Sequence, residues 1–150
     1  MDRADLSDET TVDLVADHQA STRDDIVVSV CTTCRADSTT PATEGPALLA
    51  ALSEALASAD APARVRAVQC LGVCKRPVTV AVSSADGYTF MFGDLDVARG
   101  LQALTDFVTA YRTSTFGLVP WRARAEVLRK GMIARLPPAI WSPANGEPPK

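Results

Sequence analysis

Cysteine and histidine are scarce in this sequence of 150 residues, which has four cysteines and one histidine. No apolar run approaches the length needed to cross a bilayer, so we expect no membrane-spanning segment. The N-terminus is acidic and lacks the apolar centre of a secretory signal, so we expect a cytoplasmic protein. The sequence shows no paired carboxylates, phosphate-binding loop or Ser/His/Asp set, and we therefore expect a binding or electron-transfer protein rather than an enzyme.

Charge is unevenly distributed along the chain, although the net charge is only -3. Residues 1–25 carry eight acidic and two basic side chains, which indicates a flexible acidic N-terminal extension. Residues 112–150 carry seven basic and two acidic side chains and several prolines, which indicates a basic, Pro-rich C-terminal extension. The segment between them, residues 26–111, is expected to be the folded domain.

The hydrophobic pattern of the middle segment predicts an α/β fold. Strands are expected to begin near Ile26, Arg64, Val78 and Tyr88, and helices near Pro46 and Val97. A helix joins the first two strands, so they should be parallel, and Asp86-Gly87 predicts an antiparallel hairpin between the last two. The result is β-α-β followed by a β-hairpin and a helix, a mixed four-stranded sheet in a thioredoxin-like sandwich. A short basic helix over Arg122–Ile133 is expected in the C-terminal extension.

The four cysteines fall into two close pairs, Cys31 with Cys34 and Cys70 with Cys74. Each pair follows a predicted strand, and neighbouring parallel strands would bring the two loops together around one point. In a reducing cytoplasm, closely spaced thiols are more often metal ligands or redox groups than structural disulfides. This spacing therefore predicts that all four cysteines are ligands.

Three chemistries fit these thiols to different degrees. A zinc site takes four thiolates in a tetrahedron, and a 2Fe-2S cluster takes four thiolates from loops around two irons. A thiol-disulfide exchange site would use Cys31 and Cys34 alone, but the predicted helix begins well after Cys34 and its dipole would not act on either thiol. Counting ligands does not separate zinc from iron–sulfur.

The second cysteine segment, Cys-Leu-Gly-Val-Cys-Lys-Arg-Pro at Cys70–Pro77, resembles a motif of the thioredoxin-like 2Fe-2S ferredoxins. These include the small cluster-bearing subunit of respiratory NADH dehydrogenases. Val30-Cys31-Thr32-Thr33 is similar to the start of their first motif, and the resemblance covers roughly residues 26–111. It implies a 2Fe-2S cluster on the four cysteines and the donation of single electrons to an enzyme partner.

Two departures from the ferredoxin pattern favour keeping zinc as the alternative cofactor. The ferredoxins usually place four or more residues between their first two cysteines, whereas only Thr32 and Thr33 intervene here. Arg76 also replaces the small residue that usually precedes the proline. The alternative function is therefore a zinc- or other metal-binding module, structural or delivering metal, and a thiol-disulfide oxidoreductase is a third.

Four residues around the second pair are expected to support the ligands. Gly72 allows a tight turn that directs backbone N–H groups toward sulfur, and Pro77 stiffens the exit into the next strand. Lys75 and Arg76 can offset the negative charge of a thiolate-bound cluster.

The chain as a whole, including Val-Pro-Trp-Arg at residues 119–122, resembles a bacterial family of small predicted metal-binding proteins of unassigned function. This resemblance suggests a redox or metal-dependent enzyme as the partner, associated with cobalamin. We expect no nucleic-acid or membrane partner, and the sequence leaves a homodimer open.

Overall fold

The computed structural model describes residues 23–35, 39, 41–59 and 63–150. The five strands of these residues are β1 (Val27–Cys31), β2 (Arg64–Val68), β3 (Val80–Ser83), β4 (Thr89–Phe92) and β5 (Met132–Leu136). The α-helices are α1 (Glu44–Ala57), α2 (Val97–Thr113) and α3 (Glu126–Lys130). The strands form one open mixed sheet in the order β2-β1-β3-β4-β5. The α/β class is confirmed, and the predicted strand count of four is wrong.

The strand pairings of the domain follow the predicted pattern. β1 and β2, which α1 connects, are parallel, with Val27 opposite Arg64 and Cys31 opposite Val68. β3 and β4 pair antiparallel, and β3 also pairs antiparallel with β1. The parallel pairing has one direct consequence for function, because the chain leaves β1 and β2 at the same end of the sheet.

The core lies between the sheet and the two long helices, which contact each other and so cover the same face. Val28 and Val30 of β1 are fully buried, as expected for the β-branched side chains of the run Ile26–Val30. The Phe90 and Phe92 rings of β4 each pack edge to face against Phe107 of α2, with centroids 5.1 Å apart. Burial of this apolar layer stabilises the sheet, and the cysteine loops follow two strands of that sheet, β1 and β2.

The main difference from the predicted fold lies in residues 112–150. The predicted basic helix over Arg122–Ile133 is wrong in extent, because α3 spans only Glu126–Lys130 and the chain then enters β5. β5 pairs antiparallel with β4 and becomes an edge strand of the sheet. Leu128 is fully buried, whereas Trp121 is 54 % exposed, so Leu128 packs into the core and Trp121 stays at the surface.

Residues 1–22 of the predicted N-terminal extension, with His18, lie outside the described residues. The residues that follow contact the domain. Arg23 donates through its backbone N–H to Arg112 O (3.0 Å) and through Nη1 to Ser114 O (2.7 Å). Across the described ranges, no helix combines the length and the apolar character that crossing a bilayer requires.

Candidate metal centre

The first cysteine pair lies at the end of β1 and is buried. Cys31 is the last residue of that strand and is 1 % exposed, and Cys34 is 4 % exposed. The segment preceding β3 anchors both, because Cys31 N–H donates to Thr79 O (3.0 Å) and Cys34 Sγ lies 3.6 Å from Thr79 Oγ1. Thr79 is itself fully buried, so this hydroxyl is held among the thiols away from solvent.

The second cysteine pair lies in the loop after β2 and is exposed. Its sulfur atoms, Cys70 Sγ and Cys74 Sγ, are 3.8 Å apart. Gly72 N–H donates to Cys70 Sγ at 3.2 Å, and Gly72 has φ +83°, a conformation that favours glycine. The glycine therefore turns the loop so that a backbone donor faces sulfur.

Threonines of the first loop connect the two cysteine segments. Thr32 donates to Val68 O through both its backbone N–H (2.9 Å) and its hydroxyl (3.1 Å). The Thr33 hydroxyl donates to Gln69 O, the carbonyl next to Cys70, and the Cys31 thiol lies 3.7 Å from the same oxygen. The cysteine spacing did not predict this role, although the two hydroxyl side chains between the first cysteines are visible in the sequence.

The surroundings of the first pair shift the pKa values of its two thiols in opposite directions. Burial raises the pKa of the Cys31 thiol, but hydrogen bonds from Cys34, Thr33 and Thr79 outweigh that effect and leave the pKa below its ordinary value. Burial and the interaction with Cys31 raise the pKa of Cys34 above its ordinary value. The hydrogen bonds within this pair therefore stabilise one thiolate, at Cys31, while the second thiol keeps its proton more firmly.

In the second pair, the ionisation of Cys74 depends on its neighbour Cys70 and also on the charge of the first pair. The hydrogen bond with Cys70, followed by the charge of the Cys70 thiolate, raises the pKa of Cys74 above its ordinary value. The charge of Cys31 contributes in the same direction. An added cation would relieve this repulsion among thiolates, which is the electrostatic condition for a metal site.

Within the described residues, the four thiols of the predicted metal centre form two separate pairs. We call Cys31 with Cys34 the first half-site and Cys70 with Cys74 the second half-site. No three His, Cys, Asp or Glu side chains within residues 23–35, 39, 41–59 and 63–150 cluster closely enough to hold a metal ion. The donor chemistry of the exposed pair nevertheless fits one, because two thiolates bound tetrahedrally at about 2.3 Å lie about 3.8 Å apart. Cys70 and Cys74 have this separation. These two thiols could therefore chelate one zinc or one iron ion.

A glycine of α1 forms part of the first half-site. A Cβ atom on Gly45 would lie 2.1 Å from Cys31 O and 3.1 Å from Thr32 Cα, so only glycine allows the helix to begin this close to the loop. The helix itself begins at Glu44, with Pro46 in its first turn as predicted. The sequence pattern predicted the start of the helix near Pro46 but not this contact of Gly45 with the cysteine loop.

The residues after Cys74 have different surroundings. Arg76 makes a 2.7 Å ion pair with Asp94, so its charge already has a partner. Lys75 is exposed. Pro77 precedes a cis peptide bond to Val78, which then exchanges backbone hydrogen bonds with Leu95 (3.0 and 3.3 Å). Lys75 and Arg76 were both expected to offset the charge of a cluster. Because Arg76 already pairs with Asp94, Lys75 is the better candidate for that role.

Comparison with known proteins places the chain in a family. The family model described as "Protein of unknown function (DUF1636)" matches residues 28–138, which is more than half of the chain. The chain belongs to the DUF1636 family. No curated protein and no solved structure matches it. The DUF1636 match spans both cysteine pairs and β5, so the fifth strand belongs to the region that the family model covers.

Proposed function

We propose that Cys31, Cys34, Cys70 and Cys74 together hold a 2Fe-2S cluster, and that the protein is a ferredoxin-like carrier of single electrons to a redox or metal-dependent enzyme. The observation that carries the proposal is the placement of two thiol pairs after adjacent parallel strands. The 3.8 Å separation of the exposed sulfurs, which suits a single tetrahedral metal ion, supports it. A thioredoxin-like fold is part of the same proposal, supported by the parallel β1–β2 pair and the β3–β4 hairpin.

Each half-site would bind one iron, and metal binding would supply the free energy that brings the two halves together. A bound cluster supplies a one-electron couple whose formal charge changes from about -2 to about -3 on reduction. The buried first pair keeps water from one side of the site, because Cys31 and Cys34 are 1 % and 4 % exposed. The exposed second pair leaves Cys70 and Cys74 at the surface, where a partner can approach within electron-transfer distance.

A cytoplasmic location belongs to the proposal, because a reducing compartment keeps these thiols available as ligands.

A backbone hydrogen-bond donor in the Cys70–Cys74 loop would influence the reduction potential of a bound cluster. Gly72 N–H already points at Cys70 Sγ, and hydrogen bonds to ligand sulfur raise a cluster's reduction potential.

A zinc- or other metal-binding module, structural or delivering metal, is the second candidate, and the same 3.8 Å sulfur separation favours it equally. Thiol-disulfide exchange is a third, supported by the two-residue spacing of Cys31 and Cys34 and by the lowered pKa of Cys31. It lacks a helix dipole at the first pair, because α1 begins at Glu44, well after Cys34.

The deciding experiment is anaerobic purification followed by metal and sulfide analysis and visible absorption spectroscopy. The proposal expects two irons and two acid-labile sulfides per chain, a brown colour, and bleaching on one-electron reduction. Cys70→Ser should lose the colour while remaining folded, since that side chain is exposed. Stoichiometric zinc in a colourless sample would establish the second candidate instead. A metal-free protein that exchanges disulfides through Cys31 and Cys34 alone would establish the third.

A further inference from the structure

The guanidinium group of Arg76 connects the second cysteine loop to two other segments. Its Nε and Nη2 atoms donate to Asp94 Oδ2 at 3.0 and 2.7 Å. Nη2 also donates to Lys130 O at 3.0 Å, and Nη1 approaches Met132 O at 3.5 Å. One side chain, two positions after Cys74, therefore contacts the turn between β4 and α2 and the junction between α3 and β5.

The backbone of the same three segments is equally close. Asp94 N–H donates to Arg76 O (3.0 Å), and Gly93 N–H donates to Gly131 O (2.8 Å). A Cβ atom on Gly93 would lie 2.9 Å from Arg76 O, and one on Gly131 would lie 2.5 Å from Gly93 O. Asp94 has φ +60°, a left-handed conformation that aspartate adopts more readily than most residues. Two glycines and a left-handed aspartate thus allow the junction to close.

Two simpler roles for Arg76 account for only part of these contacts. An exposed ion pair alone contributes little to stability, and the Asp94 side chain is 48 % exposed. Compensation of cluster charge would require only a cation near the thiolates, whereas the Arg76 charge is matched by Asp94. Neither role explains why the guanidinium also donates to backbone carbonyls of the C-terminal segment. A planar fork of donors satisfies a carboxylate and carbonyls together, which a lysine cannot do.

We propose that Arg76 is a positioning residue for the second half of the metal centre, and that it ties the Cys70–Cys74 loop to the start of β5 through Asp94 and the carbonyls of Lys130 and Met132. The inference rests on the proposed function as far as the bound metal is concerned. Its consequence is reciprocal: ordering of the loop by metal should stabilise the β5 junction, and loosening the junction should weaken metal binding.

The test compares Arg76→Gln, Arg76→Lys and Asp94→Asn with the control Arg99→Gln. Arg99 forms a similar exposed ion pair, with Asp96 at 2.9 Å, and its guanidinium donates to that carboxylate at the start of α2 rather than to the cysteine loop. Arg76→Lys keeps the positive charge but loses the planar set of guanidinium donors. It therefore distinguishes a positioning role of Arg76 from simple compensation of cluster charge. Thermal unfolding of each metal-free variant establishes that it folds.

The first readout needs no metal. In metal-free protein, amide hydrogen exchange should become roughly tenfold to hundredfold faster at Gly72, Gly93 and the first residues of β5 in Arg76→Gln, because the tie between segments is lost. Arg99→Gln should leave these amides unchanged. Unchanged exchange in folded Arg76→Gln and Asp94→Asn would overturn the proposal. It would also be overturned if both variants unfolded globally, since Arg76 would then support the whole domain rather than this loop.

The second readout is the affinity for Co²⁺, measured by competition with a chelator and by sulfur-to-cobalt absorption. Arg76→Gln and Arg76→Lys should each bind roughly tenfold to a hundredfold more weakly than the control, as for other residues that orient metal ligands. Wild-type affinity in Arg76→Lys would show that charge alone matters and would overturn the proposal. Absence of Co²⁺ binding in the wild-type protein, together with the absence of iron and sulfide after anaerobic purification, would refute the proposed function. The exchange experiment would still decide whether Arg76 ties the loop to β5.

Discussion

Cys31 lies directly opposite Val68 in the parallel pairing of β1 and β2. The first cysteine therefore ends one strand, and the second pair begins two residues beyond the end of the neighbouring one. Hydrogen bonds from Thr32 and Thr33 to the carbonyls of Val68 and Gln69 hold the two loop starts together. The pairs nevertheless differ in depth, one buried and one exposed, and this difference makes their contributions to folding and metal binding separable.

Serine substitutions should distinguish the two pairs. Cys74→Ser changes an exposed side chain and should leave the stability of the metal-free protein unchanged. Cys34→Ser places a hydroxyl at a buried position and should lower the free energy of unfolding by about 1–3 kcal/mol. Both variants should lose bound metal. Chemical denaturation of the metal-free proteins and metal analysis of the native ones measure the two effects. Full metal content in Cys34→Ser would show that the first pair is not a ligand pair.

Much of the site's placement was predictable because it depends on local patterns. The β-branched run before Cys31, the helical crossover and the Asp86-Gly87 turn were enough to predict the parallel β1–β2 pair and the β3–β4 hairpin. Whether the thiols converge on one metal depends on distances of a few ångströms that no sequence spacing specifies. The exposed sulfurs lie within chelating distance, but the described residues contain no group of three ligands.

The errors arose where distant segments meet. Within the part of the chain that the structure describes, Met132–Leu136 is a short edge strand that pairs with β4 alone. Its residues continue the apolar spacing of the preceding helix, so the pattern favoured a longer helix. Gly131 ends that helix and packs against Gly93, a contact between positions far apart in the chain. The Arg76–Asp94 ion pair likewise depends on a loop and a turn that the sequence does not show to be neighbours.

Substitution of Gly45 should damage the first half-site. Gly45→Ala would place a methyl group 2.1 Å from Cys31 O, which forces the helix or the loop to move. We expect a loss of about 1–3 kcal/mol in the free energy of unfolding, together with weaker metal binding. Gly100→Ala is the matched control, because its nearest neighbour would be Leu95 Cβ at 3.4 Å. The control should be neutral or more stable by up to about 1 kcal/mol. Equal stabilities of the two variants in urea would contradict this role of Gly45.

Asp96, the N-terminal cap of α2, should make the free energy of unfolding depend on pH. Hydrogen bonds from the Arg99 side chain and backbone lower the pKa of Asp96 below its ordinary value. The stabilisation is therefore complete above the ordinary pKa of aspartate, about 3.9, and is lost as the pH falls through the lower folded value. Asp96→Asn should show a smaller loss of unfolding free energy between about pH 5 and pH 2 than the wild-type protein. An identical pH profile in the variant would exclude Asp96 as a contributor.

The exposed charge of Lys75 should affect the reduction potential of the proposed cluster. Within the described part of the chain, Arg76 pairs with Asp94, whereas Lys75 is exposed next to Cys74 and forms no ion pair. Reduction adds negative charge, which a nearby cation stabilises, so Lys75→Gln should lower the reduction potential of the reconstituted protein. An exposed charge interaction of about 0.2–1 kcal/mol corresponds to a shift of about 10–40 mV for one electron.

Lys130→Gln is the control for Lys75→Gln, because the ammonium group of Lys130 pairs with Glu126 at 2.8 Å on α3. Its potential should stay close to that of the wild-type protein. The Lys75→Gln shift should shrink in 1 M salt, where the Debye length falls to about 3 Å. Protein-film voltammetry at low and high salt measures both effects. A rise in potential in Lys75→Gln, or a shift that salt does not reduce, would contradict a direct electrostatic role for Lys75.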